Sequence, residues 1–203
     1  MRTKFCFTAV RTFAICTLLS SPALLVAQPL PLAPAEVGAD GVDVPVRLAG
    51  AQTSPAQVYG KLLSGQQGEV VAAAEAMPAD KYNFAPTTGT FQGVRTFAQQ
   101  VTHIASSQYY FFSGFGVKPS GDPDAIDKLT SKDEIVKALK DSYAFAQQAV
   151  ETITAENAFE QFGEHKNTRA GMAAMGLAHT NDHYGQMVVY LRMNGIIPPA
   201  SRK

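Results

Sequence analysis

Apolar residues recur at intervals of three and four along four separate stretches of this 203-residue chain, and this spacing constrains the fold more than any other feature. An α-helix turns about 100° per residue, so the spacing places such residues on one face of a helix. We expect helices over residues 54–76, 93–113, 131–153 and 168–194. No stretch shows the strict alternation of a half-buried strand. The sequence therefore predicts an all-α fold, a four-helix bundle.

Residues at the predicted helix starts agree with this interpretation. Ser54 followed by Pro55 is a favourable entry, since serine caps the free backbone N–H groups and proline fits the first turn. Ser131 with Glu134 forms a capping-box pattern, and Thr168 is a third potential N-cap. These residues predict where three of the four helices begin.

The connection between the second and third helices, residues 114–130, is unusually long. It contains Pro119, Gly121 and Pro123 and shows no apolar period. At about 3.3 Å per residue, this segment can run the length of a helix of about 20 residues, which is about 30 Å long. The length permits a crossover and favours up-down-down-up wiring of the bundle.

The N-terminal segment has the pattern of an export signal. Basic residues precede an uncharged apolar run that ends at Ala27, and the run is shorter than the roughly 20 residues that span a bilayer. We interpret residues 1–27 as a signal peptide, 28–53 as a flexible linker and 54–203 as the folded domain. A retained transmembrane anchor is the alternative. The prediction is an exported protein, periplasmic or extracellular, with no membrane attachment after cleavage.

Composition excludes several classes of function. Both cysteines, Cys6 and Cys16, lie within the predicted signal peptide, so the mature chain would have no disulfide, thiolate nucleophile or cysteine metal ligand. The 17 basic residues balance 17 acidic ones, but Arg2, Lys4 and Arg11 also lie in that segment. The remainder carries a net charge of about −3 and no basic stripe, which argues against a nucleic-acid partner.

A histidine pair on the fourth predicted helix indicates a metal site. His179 and His183 are one turn apart, so both imidazoles can reach one ion at about 2.0–2.1 Å. The residues between them, Thr180, Asn181 and Asp182, lack the glutamate of a metalloprotease helix. The alternative is a pair of structural histidines that are hydrogen-bonded within the core.

The other two histidines are less informative. His103 falls outside the apolar stripe of the second helix, on either a solvent face or a second, polar inner face, and the spacing alone favours the surface. His165 lies in a polar link that also contains Gly163, and we interpret it as solvated.

Two longer motifs carry a family resemblance. The first is F-A-P-T-T-G-T-F-Q-G-V-R-T-F-A-Q-Q-V-T-H-I-A, from Phe84 to Ala105. The second is H-T-N-D-H-Y-G-Q-M-V-V-Y-L-R-M-N-G-I-I-P-P-A-S, from His179 to Ser201. Together they resemble the DinB-like superfamily, and the resemblance extends from about Ser54 to the end of the chain.

The resemblance implies a four-helix bundle with up-down-down-up wiring and a metal triad. The three family histidines fall on His103, His179 and His183, so His103 becomes an expected ligand. The ion would be zinc or nickel, because three imidazoles suit several late first-row metals. Characterised members include cytoplasmic metal-dependent transferases and isomerases that act with small-molecule thiols, whereas this chain has the pattern of an exported protein.

Two classes of function remain open. The first is a metal-dependent transferase or hydrolase that acts on a small molecule, with Asp182, Tyr109 and Tyr110 as candidates for proton transfer or substrate orientation. The second is a non-catalytic metal-binding or stress-related binding protein. A homodimer formed through exposed apolar helix faces is a further expectation.

Overall fold

The computed structural model describes residues 53–203, and this part of the chain is mostly helical. The predicted signal peptide and all but the last residue of the predicted linker lie outside the described residues. No helix in the described part is long and apolar enough to cross a bilayer. The helices are α1 (Pro55–Ala76), α2 (Phe97–Phe112), α3 (Pro123–Ile126), α4 (Lys132–Glu151) and α5 (Arg169–Met193), and the two strands are β1 (Gln161–Phe162) and β2 (Asn167–Thr168).

The predicted N-caps are confirmed. The Ser54 hydroxyl accepts a hydrogen bond from the backbone N–H of Gln57 at 3.2 Å, and the Ser54 N–H donates to the Gln57 side chain at 2.9 Å. Ser131 caps α4, and Thr168 caps α5. These contacts satisfy N–H groups that have no partner within the helix.

The second helix begins later than the predicted residue 93. Thr96 caps it, because its hydroxyl accepts from the backbone N–H of Gln99 at 3.2 Å and its own N–H donates to the Gln99 side chain. The preceding Gly93 has a φ of 81°, which ends any helical path towards the N-terminus. Because α2 begins at Phe97, Arg95 lies just before the N-cap and not within the helix.

The long helices pack around one core. α1 contacts α4 and α5, and α2 also contacts α4 and α5. The largest buried side chains are aromatic and aliphatic residues from all four long helices and the loop after α1, among them Leu63, Tyr82, Phe97, Phe112, Leu139, Tyr143, Phe145 and Met187. The apolar stripes therefore meet in the centre, and the all-α prediction is confirmed.

The long connection after α2 is partly ordered as a helix, which its composition did not predict. Asp122 caps the short helix α3, whose first residue is Pro123, and Ile126 is buried against the core. α3 packs on α2. This contact brings Asp127, at the end of α3, to the side of α2 that also bears His103.

The expectation of no strand was wrong for the link between α4 and α5. Gln161 pairs with Thr168 and Phe162 pairs with Asn167 in a two-residue antiparallel ladder. Gly163 and Lys166 in the connecting turn have φ values of 67° and 50°. Strands of two residues are too short to show a period in sequence.

Candidate metal centre

Three histidines from two helices converge in the structure. His103 extends from α2, and its Nε2 atom lies 3.1 Å from Nε2 of His179 on α5. The Nε2 atom of His183, one turn further along α5, lies 3.2 Å from the same His179 atom. His103 is half-buried, so the surface interpretation drawn from its spacing was wrong. The three residues could together hold a metal ion.

The distances between the ring nitrogens suit a metal ion. Nitrogen atoms at about 2.0–2.1 Å from one ion, at tetrahedral or octahedral angles, are about 2.8–3.4 Å from one another. The observed 3.1 and 3.2 Å fall within this range. The rings are tilted or perpendicular rather than stacked, with His103 and His183 at 85°. Their lone pairs can therefore point to a common centre.

Hydrogen bonds among three neutral imidazoles would satisfy this cluster less well than a bound metal ion would. The His179 Nε2 atom has two close imidazole neighbours, but one ring nitrogen either donates one hydrogen or offers one lone pair. The other nitrogen of this ring, Nδ1, is buried and has no hydrogen-bond partner among the described residues. A cation at the centre would interact favourably with all three Nε2 atoms.

A chain of hydrogen bonds orients His183. Its Nδ1 lies 2.7 Å from Oε1 of Gln100, the Gln100 amide donates to Oε1 of Gln186 at 2.7 Å, and the Gln186 amide donates to Asp182 at 3.0 Å. A carboxylate at neutral pH only accepts hydrogen bonds, so it sets the direction of the whole chain. Nδ1 of His183 is therefore the donor, which leaves the Nε2 lone pair for the cluster.

Sequence reasoning missed the role of Gln100 and did not assign one to Gln186. Each glutamine lies three residues from a triad histidine on its own helix, Gln100 before His103 and Gln186 after His183. Residues three apart share a helix face, so this spacing could have indicated that each glutamine lies near a histidine of its own helix. The spacing does not show that the two glutamines pair across α2 and α5.

The electrostatic setting keeps the imidazoles neutral. Burial is the main cause that lowers the pKa of each of the three histidines. The pKa of His183 falls to about 4, because the neighbouring His179 and His103 add to the effect of burial. Arg95 lowers all three values further. Neutral imidazole is the form that binds metal, so neutral pH favours binding.

The predicted auxiliary residues have different positions. Asp182 is exposed and joins the site only through Gln186. The Tyr109 ring stacks on Phe145 of α4 with centroids 4.9 Å apart, so it is directed away from α5. Tyr110 is 67% exposed and packs on the neighbouring Phe111. The structure thus brings Asp182, but neither tyrosine, into the hydrogen-bond network of the triad.

A cavity of about 600 Å³ opens beside the triad and reaches it through His103. Arg95 and Asp127 contribute charges to its wall, and Thr102 and Gln186 contribute neutral polar groups. The backbone of Arg95 is held in place by the Tyr190 hydroxyl, which donates to its carbonyl at 3.0 Å. The cavity is large enough for a small molecule to approach the three histidines.

Comparisons with known proteins agree with this architecture. The sequence profile of the DinB superfamily matches residues 62–187, a range that includes all three histidines. The fold is similar to the crystal structure of a DinB-like protein from Bacillus cereus ATCC 10987, with a TM-score of 0.61 and 17% identity over 70% of this chain and 93% of that chain. At this identity the likeness concerns the fold alone. No curated protein matches the chain.

Proposed function

The chain belongs to the DinB superfamily, and from this premise we propose that it is a metal-dependent transferase or hydrolase that acts on a small molecule. His103, His179 and His183 would bind one divalent ion, zinc or nickel. The convergence of their Nε2 atoms, at 3.1 and 3.2 Å, is the observation that carries the proposal. A non-catalytic metal-binding protein is the alternative.

The ion would supply Lewis acidity, the chemistry that metal-dependent transferases and hydrolases share. The protein's own groups have three tasks. Gln100 holds His183 in the tautomer that presents Nε2. Phe111 packs against the His179 ring with centroids 5.1 Å apart and so limits access of water to that side. The cavity beside His103 admits the substrate.

We also infer that the four long helices form a bundle with up-down-down-up wiring. Contacts between neighbouring helices support the directions: residue numbers rise together along α1 and α5, whereas they run in opposite senses between α1 and α4 and between α2 and α5. The contacting pairs are Tyr59–Ala170, Gln66–Leu177, Ser64–Gln147, Glu75–Lys140, Gln100–Gln186 and His103–His179. α1 and α5 would then point one way, and α2 and α4 the other.

Export remains part of the proposal. The basic residues and the apolar run within residues 1–27 support it. N-terminal sequencing of the protein recovered from the periplasm or the medium should find a chain that begins near residue 28. An intact N-terminus on a protein that stays in the cytoplasm would contradict this expectation.

Metal content tests the metal site directly. We expect elemental mass spectrometry of untagged protein to find about one zinc or nickel ion per chain. His179→Ala should lose the ion, whereas His165→Ala, which removes an exposed histidine of the polar link, should retain it. A protein that contains no metal and takes up neither zinc nor nickel would contradict the proposal.

Catalysis needs a separate test. Thiol-transfer and hydrolysis substrates should be screened with the metal-loaded protein, with the protein after chelation, and with His179→Ala. Turnover that requires the ion and is lost in the variant would support an enzyme. A stable metal complex with no turnover in the screen would favour the non-catalytic alternative.

A further inference from the structure

A second cavity, of about 450 Å³, lies along the outer face of α5 near its C-terminal end. Its wall is largely apolar, and four of its side chains are substantially exposed to solvent. These are Phe91 (43% exposed), Val94 (37%), Val189 (52%) and Met193 (49%). Exposure of neighbouring apolar groups is unfavourable in water and is typical of a surface that binds a ligand or partner.

This apolar cavity adjoins the cavity beside the triad. Val94 and Gln186 line both of them. Gln186 also belongs to the hydrogen-bond chain that ends at His183. A molecule that binds at the triad can therefore extend onto the apolar wall without leaving the protein surface.

One positive and two negative side chains surround the shared wall. Arg95 follows Val94 directly and lines the cavity beside the triad, and its guanidinium has no carboxylate within ion-pair distance in the part of the chain that the structure describes. The two carboxylates are Asp127, which lines the cavity beside the triad, and Asp182, which lines the apolar cavity and accepts a hydrogen bond from Gln186 at 3.0 Å. With a divalent cation at the triad, the positive charges of the ion and Arg95 would exceed the negative charges of Asp127 and Asp182, so the combined field would attract an anionic group.

We propose that the substrate of the metal site is a small amphipathic anion, whose acidic group binds beside Arg95 and whose apolar group packs on Phe91, Val94, Val189 and Met193. This inference rests on the proposed function, since it names the substrate class of the same site. Each of the two cavities has a volume within the usual range of a small-molecule site.

A series of straight-chain carboxylates from acetate to octanoate tests the inference. Titration calorimetry on the metal-loaded protein should show that affinity rises about two- to fourfold with each added methylene group until the apolar wall is covered. Met193→Gln should flatten this dependence on chain length. Leu62→Gln is the matched control, because it removes an exposed apolar side chain of α1 that lines neither cavity.

The role of Arg95 has a different signature. Arg95→Gln should weaken every carboxylate by a similar factor, about two- to fivefold, and leave the dependence on chain length intact. Metal content, measured on each variant, should match that of the unsubstituted protein. Equal affinity of Arg95→Gln and the unsubstituted protein for all carboxylates would overturn the assignment of the acidic group to this residue.

Other results would overturn the inference as a whole. Affinity that does not depend on chain length would do so, and so would equal flattening by Leu62→Gln and Met193→Gln. A dimer of the unsubstituted protein that Met193→Gln converts to a monomer in sedimentation would assign the apolar wall to a second copy. A protein that binds no metal would contradict the proposed function. The same carboxylate titration on that metal-free protein would still show whether the apolar wall binds the hydrocarbon chains.

Discussion

The Nε2 atoms of His103 and His179 lie 3.1 Å apart, although the residues are separated by 76 positions in the chain. The contact depends on how α2 packs against α5. A shift of one residue along either helix would turn the side chain by about 100° and separate the two rings. The geometry of the site therefore depends on the packing of the two helices as well as on the presence of the histidines.

Replacing the hydrogen-bond partner of His183 should weaken metal binding. Gln100→Leu removes the acceptor that keeps the hydrogen on Nδ1, so the imidazole loses its fixed tautomer and orientation. We expect zinc affinity to fall about 10- to 100-fold, the usual effect of removing a group that orients a metal ligand. Competition with a chelator of known affinity measures the change.

The matched control for this experiment is Gln108→Leu. Gln108 lies on the same helix and is also buried, but its amide has no hydrogen-bond partner among the described residues. Its replacement should leave zinc affinity unchanged. A similar loss of affinity in both variants would show that any substitution in the α2 core disturbs the site, and would remove the specific role of Gln100.

The stability of the metal-free protein should depend on pH through His183. Folding lowers the pKa of this histidine from 6.5 to about 4, chiefly through burial. The unfolded chain therefore takes up the proton first, and the free energy of unfolding falls as the pH drops from 6.5 towards 4. Urea unfolding at about pH 7 and about pH 5 measures the loss. His183→Asn should reduce this difference in the free energy of unfolding, and His165→Ala should not. An equal difference in all three proteins would contradict the prediction.

Two buried glutamines should respond oppositely to the same substitution. Gln108→Leu removes an amide that is 1% exposed and lacks partners among the described residues, so we expect the free energy of unfolding to rise by about 1 kcal/mol. Gln66 instead donates to the Leu177 carbonyl at 2.9 Å and to Asn181 at 2.8 Å. Gln66→Leu should cost about 1–3 kcal/mol. Chemical denaturation measures both, and a loss of stability in Gln108→Leu would mean that its amide is satisfied in solution.

A glycine after α2 should tolerate no side chain. A Cβ atom at Gly114 would clash with the ring of Phe162, so Gly114→Ala should destabilise the protein by about 1–3 kcal/mol. Gly65→Ala is the control, because a Cβ there meets nothing within 4 Å and alanine favours the helix by about 0.5–1 kcal/mol. Thermal unfolding compares the two. If truncation of the ring in Gly114→Ala/Phe162→Ala relieves no part of the loss, the clash is not its cause.

Local signals in the sequence were sufficient for three of the four long helices, α1, α4 and α5. The apolar period and the caps Ser54, Ser131 and Thr168 depend on residues within four positions of one another, and the structure has these helices within a few residues of their predicted ends. The same local geometry placed His179 and His183 on one face of α5, because residues four apart are neighbours on any α-helix.

The remaining features of the site depend on contacts between helices. Spacing fixes the angle between two residues on one helix, but it does not say which neighbouring helix a given face will meet. The spacing of His103 therefore predicts a surface position, and the family resemblance alone groups it with the pair. Tyr109, a sequence candidate for a role at the triad, faces α4 instead. The sequence by itself determined the long helices and the histidine pair; only the tertiary packing of α2 against α5 decided that His103 completes the triad and that Gln100 orients it.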